Sequence, residues 1–175
     1  VTGLAEFKIK NGVPAAQAID DSISTVSSMY GAEELNVNSV LPIDITKGGV
    51  SGVATDGHLY GALLTAYASF AYDLLKESAN GGDAYTSMNL SDIGYRDVLA
   101  DGYLDGKELD RTGSFSQPIY FGNERIDTDF YTNSIAQHVM IVVTDPEINL
   151  ASGLDSEHFD EFMDGAAFDR YQSMA

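Results

Sequence analysis

The sequence predicts an all-α protein, an irregular (orthogonal) array of about five helices joined by long ordered loops. Three observations predict it. Apolar residues recur at helical spacing in several separate stretches. Helix-starting and helix-stopping residues punctuate those stretches at the right places. The alternation expected of strands is nearly absent, leaving room for one short strand near Phe7 or Val40.

The N-terminal piece, Val1 to Lys10, is short and mixed, and Asn11-Gly12 is a turn signal. Pro14 suits the first turn of a helix, where its missing N–H is no loss. From Ala15, the residues Ile19, Ile23, Val26 and Tyr30 mark the apolar face of a first helix, and Gly31 is placed to end it. Residues 32–56 read as a long connection, because Pro42, Gly48, Gly49 and Gly52 interrupt any regular element. Its apolar members, Leu35 to Ile45, can pin it over the core. Asp56-Gly57 opens the clearest helix, with Leu59, Leu63, Ala66, Tyr67, Phe70 and Leu74 on one face and Asn80-Gly81-Gly82 as its stop. A third helix is expected from an N-cap at Ser91 to Asp101-Gly102, with Ile93, Val98 and Leu99 as its apolar side. Residues 114–125 read as an ordered loop. A fourth helix follows Asp127-Thr128-Asp129, buries Tyr131, Ile135, Val139 and Val142, and stops before Pro146. A fifth runs from about Ser156 through Phe159, Phe162, Met163, Ala166, Arg170 and Tyr171. The whole of 1–175 reads as a single helical domain, expected to be one part of a larger surface protein.

Charge sets the strongest functional limits. Twenty-seven acids against nine basic residues give a formal net charge of −18. Such a polyanion is repelled by nucleic acids and anionic lipid, whose binding depends on Lys and Arg neutralising phosphates. Cations, basic partners or a salty exterior suit it. The sequence has no cysteine, which removes disulfides, zinc–thiolate sites and cysteine nucleophiles together. No apolar run approaches the roughly 20 residues that a membrane-spanning helix needs.

Several pieces resemble a helical module of large bacterial outer-membrane lipoproteins and surface adhesins. Val1-Thr-Gly-Leu-Ala resembles that module's "VTPLT-x-LA" opening, with Gly3 where the pattern has Pro. Tyr60 to Phe70 resembles its "YALLLAAFS" helix. Asp97-Val-Leu-Ala-Asp-Gly-Tyr-Leu-Asp-Gly106 resembles "DLADGxLDG", and Tyr120-Phe-Gly-Asn123 also fits. The resemblance implies export, an extracytoplasmic location (periplasmic, outer-membrane-anchored or cell-surface), and a module with no assigned activity. A non-enzymatic binding or spacer role is therefore expected, with a protein or glycan ligand and neighbouring domains of the same polypeptide as partners. The alternative is a secreted or periplasmic hydrolase using carboxylates.

One cluster invites a cation. Asp101, Asp105, Glu108 and Asp110 crowd four carboxylates into a glycine-bearing loop, and calcium takes six to eight oxygens. The spacing matches a calcium loop at Asp105 and Gly106, but Tyr103 and Thr112 stand where ligands are due. The competing reading is a helix end at Gly102, then a tight turn at Asp105-Gly106 whose carboxylates bond local N–H groups. Calcium is thus the one candidate cofactor. His58, His138 and His158 share no ligand spacing, and His138 reads as a partly buried, hydrogen-bonded side chain. No nucleophile elbow or phosphate loop is present, so no catalytic residue is assigned.

Overall fold

In a computed structural model, the described residues are 1–29, 35–48, 53–77, 87–109, 112–113, 116–121, 124–125, 128–151 and 153–160. They form five α-helices: α1 Thr2–Lys10, α2 Ala15–Met29, α3 Asp56–Glu77, α4 Ser87–Asp101 and α5 Thr128–Thr144. Helix accounts for 61% of them, which settles the all-α class. Strand is confined to two short antiparallel pairs. β1 Lys107–Leu109 pairs with β2 Ser116–Pro118, and β3 Tyr120–Phe121 pairs with β4 Glu124–Arg125.

Helix α3 packs along α5, and α4 leans on α3 while covering β1. Helix α1 lies between α2 and α4. The expected faces of α3 and α5 are the core. Leu63, Ala66 and Phe70 of α3 meet Ile135, Val139 and Val142 of α5, all buried. Leu59, Tyr67 and Leu74 pack at the margin, and Asp145, which precedes Pro146, caps the turn that follows α5 by accepting the Glu147 N–H at 2.8 Å.

Four expectations need correction. Residues 2–10 are helical, so Phe7 lies in α1 and the short strands fall at 107–125 instead, partly within the expected 114–125 loop. Three-residue strands such as Ser116–Pro118 are too short to show alternation. Helix α4 starts at Ser87 rather than after Ser91, because Leu90 is buried with Ile93 on the same face and extends the core one turn back. On α2 the buried face is not led by Ile19, which is 40% exposed, but by Ala18, Ser22 and Thr25. Small residues there let α1 approach, and both hydroxyls are satisfied by carbonyls one turn back: Ser22 donates to Ala18 at 2.6 Å and Thr25 to Asp21 at 2.7 Å. The fifth expected helix begins as a 3-10 turn, Ser156–Phe159, with Phe159 buried. Phe162, Met163, Ala166, Arg170 and Tyr171 lie outside the described residues, as do Tyr30 and Gly31.

Two close approaches set the geometry. Residues 41–46 form an extended strap across the start of α3. The Ile43 N–H donates to the Gly57 carbonyl at 2.8 Å, and the Ile45 carbonyl accepts from Leu150 N–H at 2.8 Å. A Cβ at Gly61 would sit 1.9 Å from the Ile43 carbonyl oxygen, so only glycine lets the strap lie there. Where α1 crosses α4, a Cβ at Gly3 would stand 2.9 Å from the Tyr95 carbonyl oxygen. That contact accounts for glycine at the position where the resembling pattern has proline. Tyr95 fastens the same crossing by donating its hydroxyl to Glu6 at 2.6 Å.

Candidate functional site

The acidic loop is organised by a carboxylate that the loop itself does not contain. Asp97 lies on the α4 face that buries Leu90 and Ile93, and its side chain is fully buried. A buried carboxylate needs donors. The chain supplies them by ending α4 at Gly102 and folding the next residues back. Gly102 has φ +91°, and a Cβ there would press into the Phe7 ring of α1 at 2.7 Å. The returning loop presents three consecutive backbone N–H groups. Those of Asp105, Gly106 and Lys107 donate to Asp97 Oδ1 at 3.2, 3.1 and 3.2 Å, and Gly106 also reaches Oδ2 at 3.0 Å. Ile119 N–H then donates to the Gly106 carbonyl at 2.8 Å, which ties the knot to the β1–β2 pair.

The candidate cation ligands are placed around this knot. Asp101, one turn after Asp97, accepts the Tyr103 N–H at 3.0 Å. Asp105 bonds the Lys107 ammonium through Oδ2 and buries Oδ1 without a hydrogen-bond partner. Glu108 bonds Arg96, which also holds Asp92 at 3.1 Å. Asp110 lies outside the described residues. Asp101 and Asp105 are thus brought together, with Glu108 drawn aside by Arg96. Among the described residues no group of three His, Asp or Glu side chains is arranged to hold a metal ion.

The protonation pattern follows from crowding. Burial pushes Asp97 up to about 7, against the pull of its backbone donors and with Asp105 adding repulsion. Burial also raises Asp101. The Lys107 ammonium is held charged chiefly by its bond to Asp105, with the other two carboxylates adding attraction. Lysine therefore supplies the positive charge that three neighbouring carboxylates demand. Asp97 has no exposed surface, so it cannot serve as an acid towards a substrate.

A second polar cluster joins α3 to α5. His138 Nδ1 lies 3.0 Å from Ser69 Oγ, its Nε2 lies 4.0 Å from Asp73 Oδ2, and its ring tilts on Phe70 with centroids 5.2 Å apart. Serine, histidine and aspartate in a row suggest nucleophilic chemistry, but Ser69 sits mid-helix, where backbone N–H groups already serve the helix and cannot hold an oxyanion. Burial lowers the His138 pKa, which favours the neutral ring seen in this contact. The expected partly buried, hydrogen-bonded histidine is what α5 presents.

The other two histidines share a role that the sequence reading missed. Each is the third residue of a helical turn and reaches back to the N-cap backbone. His58 Nδ1 accepts the Thr55 N–H at 3.1 Å, and His158 Nδ1 faces the Asp155 N–H at 3.4 Å. The visible signal was Thr-x-x-His and Asp-x-x-His, variants of the capping box in which histidine replaces Glu or Gln.

No protein-family model, curated protein or solved structure matches this chain. No described helix is long and apolar enough to cross a membrane.

Proposed function

We propose that this chain is a non-enzymatic, extracytoplasmic binding or spacer module of a bacterial cell-surface protein of the lipoprotein type. The observation that carries the reading is the use made of Asp97–Gly106. This stretch resembles the surface-module pattern most specifically, and its Asp and Gly residues hold α4, α1 and β1 together rather than face a substrate. The −18 charge fits a surface in a saline exterior and disfavours nucleic acid as a partner. Exposed Tyr72 and Tyr120, 57% and 58% exposed, offer aromatic faces to a protein or glycan. The hydrolase alternative requires two convergent, accessible carboxylates. The nearest exposed pair, Asp92 and Glu108, is neutralised by Arg96.

The test is location together with binding. Antibody raised against the module should label intact cells of the parent bacterium, and immobilised module should retain a cell-surface protein or glycan in a manner weakened by Tyr72→Ala or Tyr120→Ala. Labelling only after lysis, with the protein in the cytosolic fraction, would overturn the reading.

A further inference from the structure

We propose that His58 is an acid-sensitive latch that holds the strap of residues 41–46 against α3. The argument starts from what a backbone N–H can do. It can only donate, so the 3.1 Å contact from Thr55 N–H requires a lone pair on His58 Nδ1. Thr55 Oγ1, 2.9 Å from the same nitrogen, can turn its hydroxyl to donate as well. The fold therefore contains His58 as a neutral ring. A proton on Nδ1 would set donor against donor, and it would place a cation at the positive end of the α3 dipole. The side chain is buried, with 6% exposure, so water does little to offset that charge.

The charged groups around the latch do not replace the lost acceptor. On α3 the acid of the first turn is Asp56, which is exposed. On the strap, Asp44 is engaged with Lys47 at 3.0 Å and with the Thr46 hydroxyl at 2.6 Å. Asp56 softens the penalty without supplying a partner for Thr55 N–H.

The turn that His58 caps is the one the strap is tied to. Gly57, its neighbour, gives its carbonyl to Ile43 N–H, and Gly57 and Gly61 are the two places where the strap backbone touches the helix. Opening the first turn of α3 withdraws that carbonyl. Ile43 and then the fully buried Ile45 lose their seat, and the apolar side of α3 around Ala62 becomes accessible. Acid thus frees one segment while the α3–α5 core remains packed.

The test compares wild type with His58→Gln. Glutamine is an ordinary residue at this capping position and keeps an acceptor without titrating. Amide hydrogen exchange, expressed as protection factors, is followed at Ile43 and Leu150, with Val139 as a core reference, at pH 7.5 and pH 5. In wild type, protection at Ile43 and Leu150 should fall at least tenfold at pH 5 while Val139 stays protected. In His58→Gln it should hold at both pH values. Equal losses in the two proteins would overturn the proposal. Should the variant fail to fold, the wild-type measurement alone decides: unchanged protection at Ile43, or loss in step with Val139, overturns it.

Discussion

A single carboxylate at position 97 fixes the path of the chain for ten residues, and that has measurable consequences. Asp97→Ala leaves the N–H groups of Asp105, Gly106 and Lys107 without an acceptor, one of them in a fully buried residue. The expected loss in denaturant unfolding is about 3 kcal/mol or more. Asp97→Asn keeps one acceptor oxygen and should cost about 1 kcal/mol. The same pair of proteins reveals the titration. The Asp97 pKa is raised from 3.8 in the unfolded chain to about 7 in the fold, so the native state holds its proton more tightly. That contribution to stability is complete below about pH 4, falls as pH rises towards 7, and is gone above it. Wild type should therefore lose stability relative to Asp97→Asn between pH 4 and pH 7. Parallel stability curves would mean that Asp97 does not titrate there. This residue was legible in the sequence as an acid on an apolar helix face, followed by two Asp-Gly turns. Its dominance was not, since the donors it gathers lie eight to ten residues ahead and become its partners only once Gly102 reverses the chain.

Among the elements, those with long apolar stripes were read correctly and those held by contacts from afar were not. α3 and α5 carry enough large side chains to announce their faces. Phe70→Ala, at a site 5% exposed, should cost about 3–5 kcal/mol; a loss below about 1 kcal/mol would mean that the α3 face has another partner. Helix α1 is different. Its nine residues have little amphipathic pattern, and Gly3, a poor helix former, is there because α4 passes so close. The buried face of α2 is made of alanine, serine and threonine, which propensity does not flag as core. The strap at 41–46 is irregular in sequence and in structure, yet its position is strict. Gly61→Ala drives a methyl group into the Ile43 carbonyl oxygen and should destabilise by about 3 kcal/mol or more, read as a lower midpoint in urea. Gly48→Ala, where a Cβ would meet nothing within 4 Å, is the control and should be close to neutral.

For the whole molecule, the excess of acids predicts a response to salt. Divalent ions and sodium chloride both relieve repulsion among carboxylates, so stabilisation by calcium alone does not reveal a site. The decisive comparison is the calcium increment in melting temperature of wild type and of Asp105→Ala at moderate salt. Lys107 already pairs with Asp105, and Arg96 draws Glu108 away. We therefore expect equal increments. A saturable increment lost in Asp105→Ala would instead assign calcium to this loop and give the buried, unbonded Asp105 Oδ1 a partner.

The crossing of α1 over α4 also bears on how the protein is made. Helix α1 leaves the ribosome first, but the α4 surface that receives Gly3 and Phe7 is synthesised some ninety residues later. Until then α1 has only α2 to lean on. At roughly 5–20 residues per second, that is several seconds during which the first helices of a nascent chain stand without their final neighbour. The closure that completes the fold is thus among the longest-range contacts in the chain, the kind that slows folding. An arrested chain ending before residue 87 should expose α1 to protease, and one that extends past residue 110 should shield it.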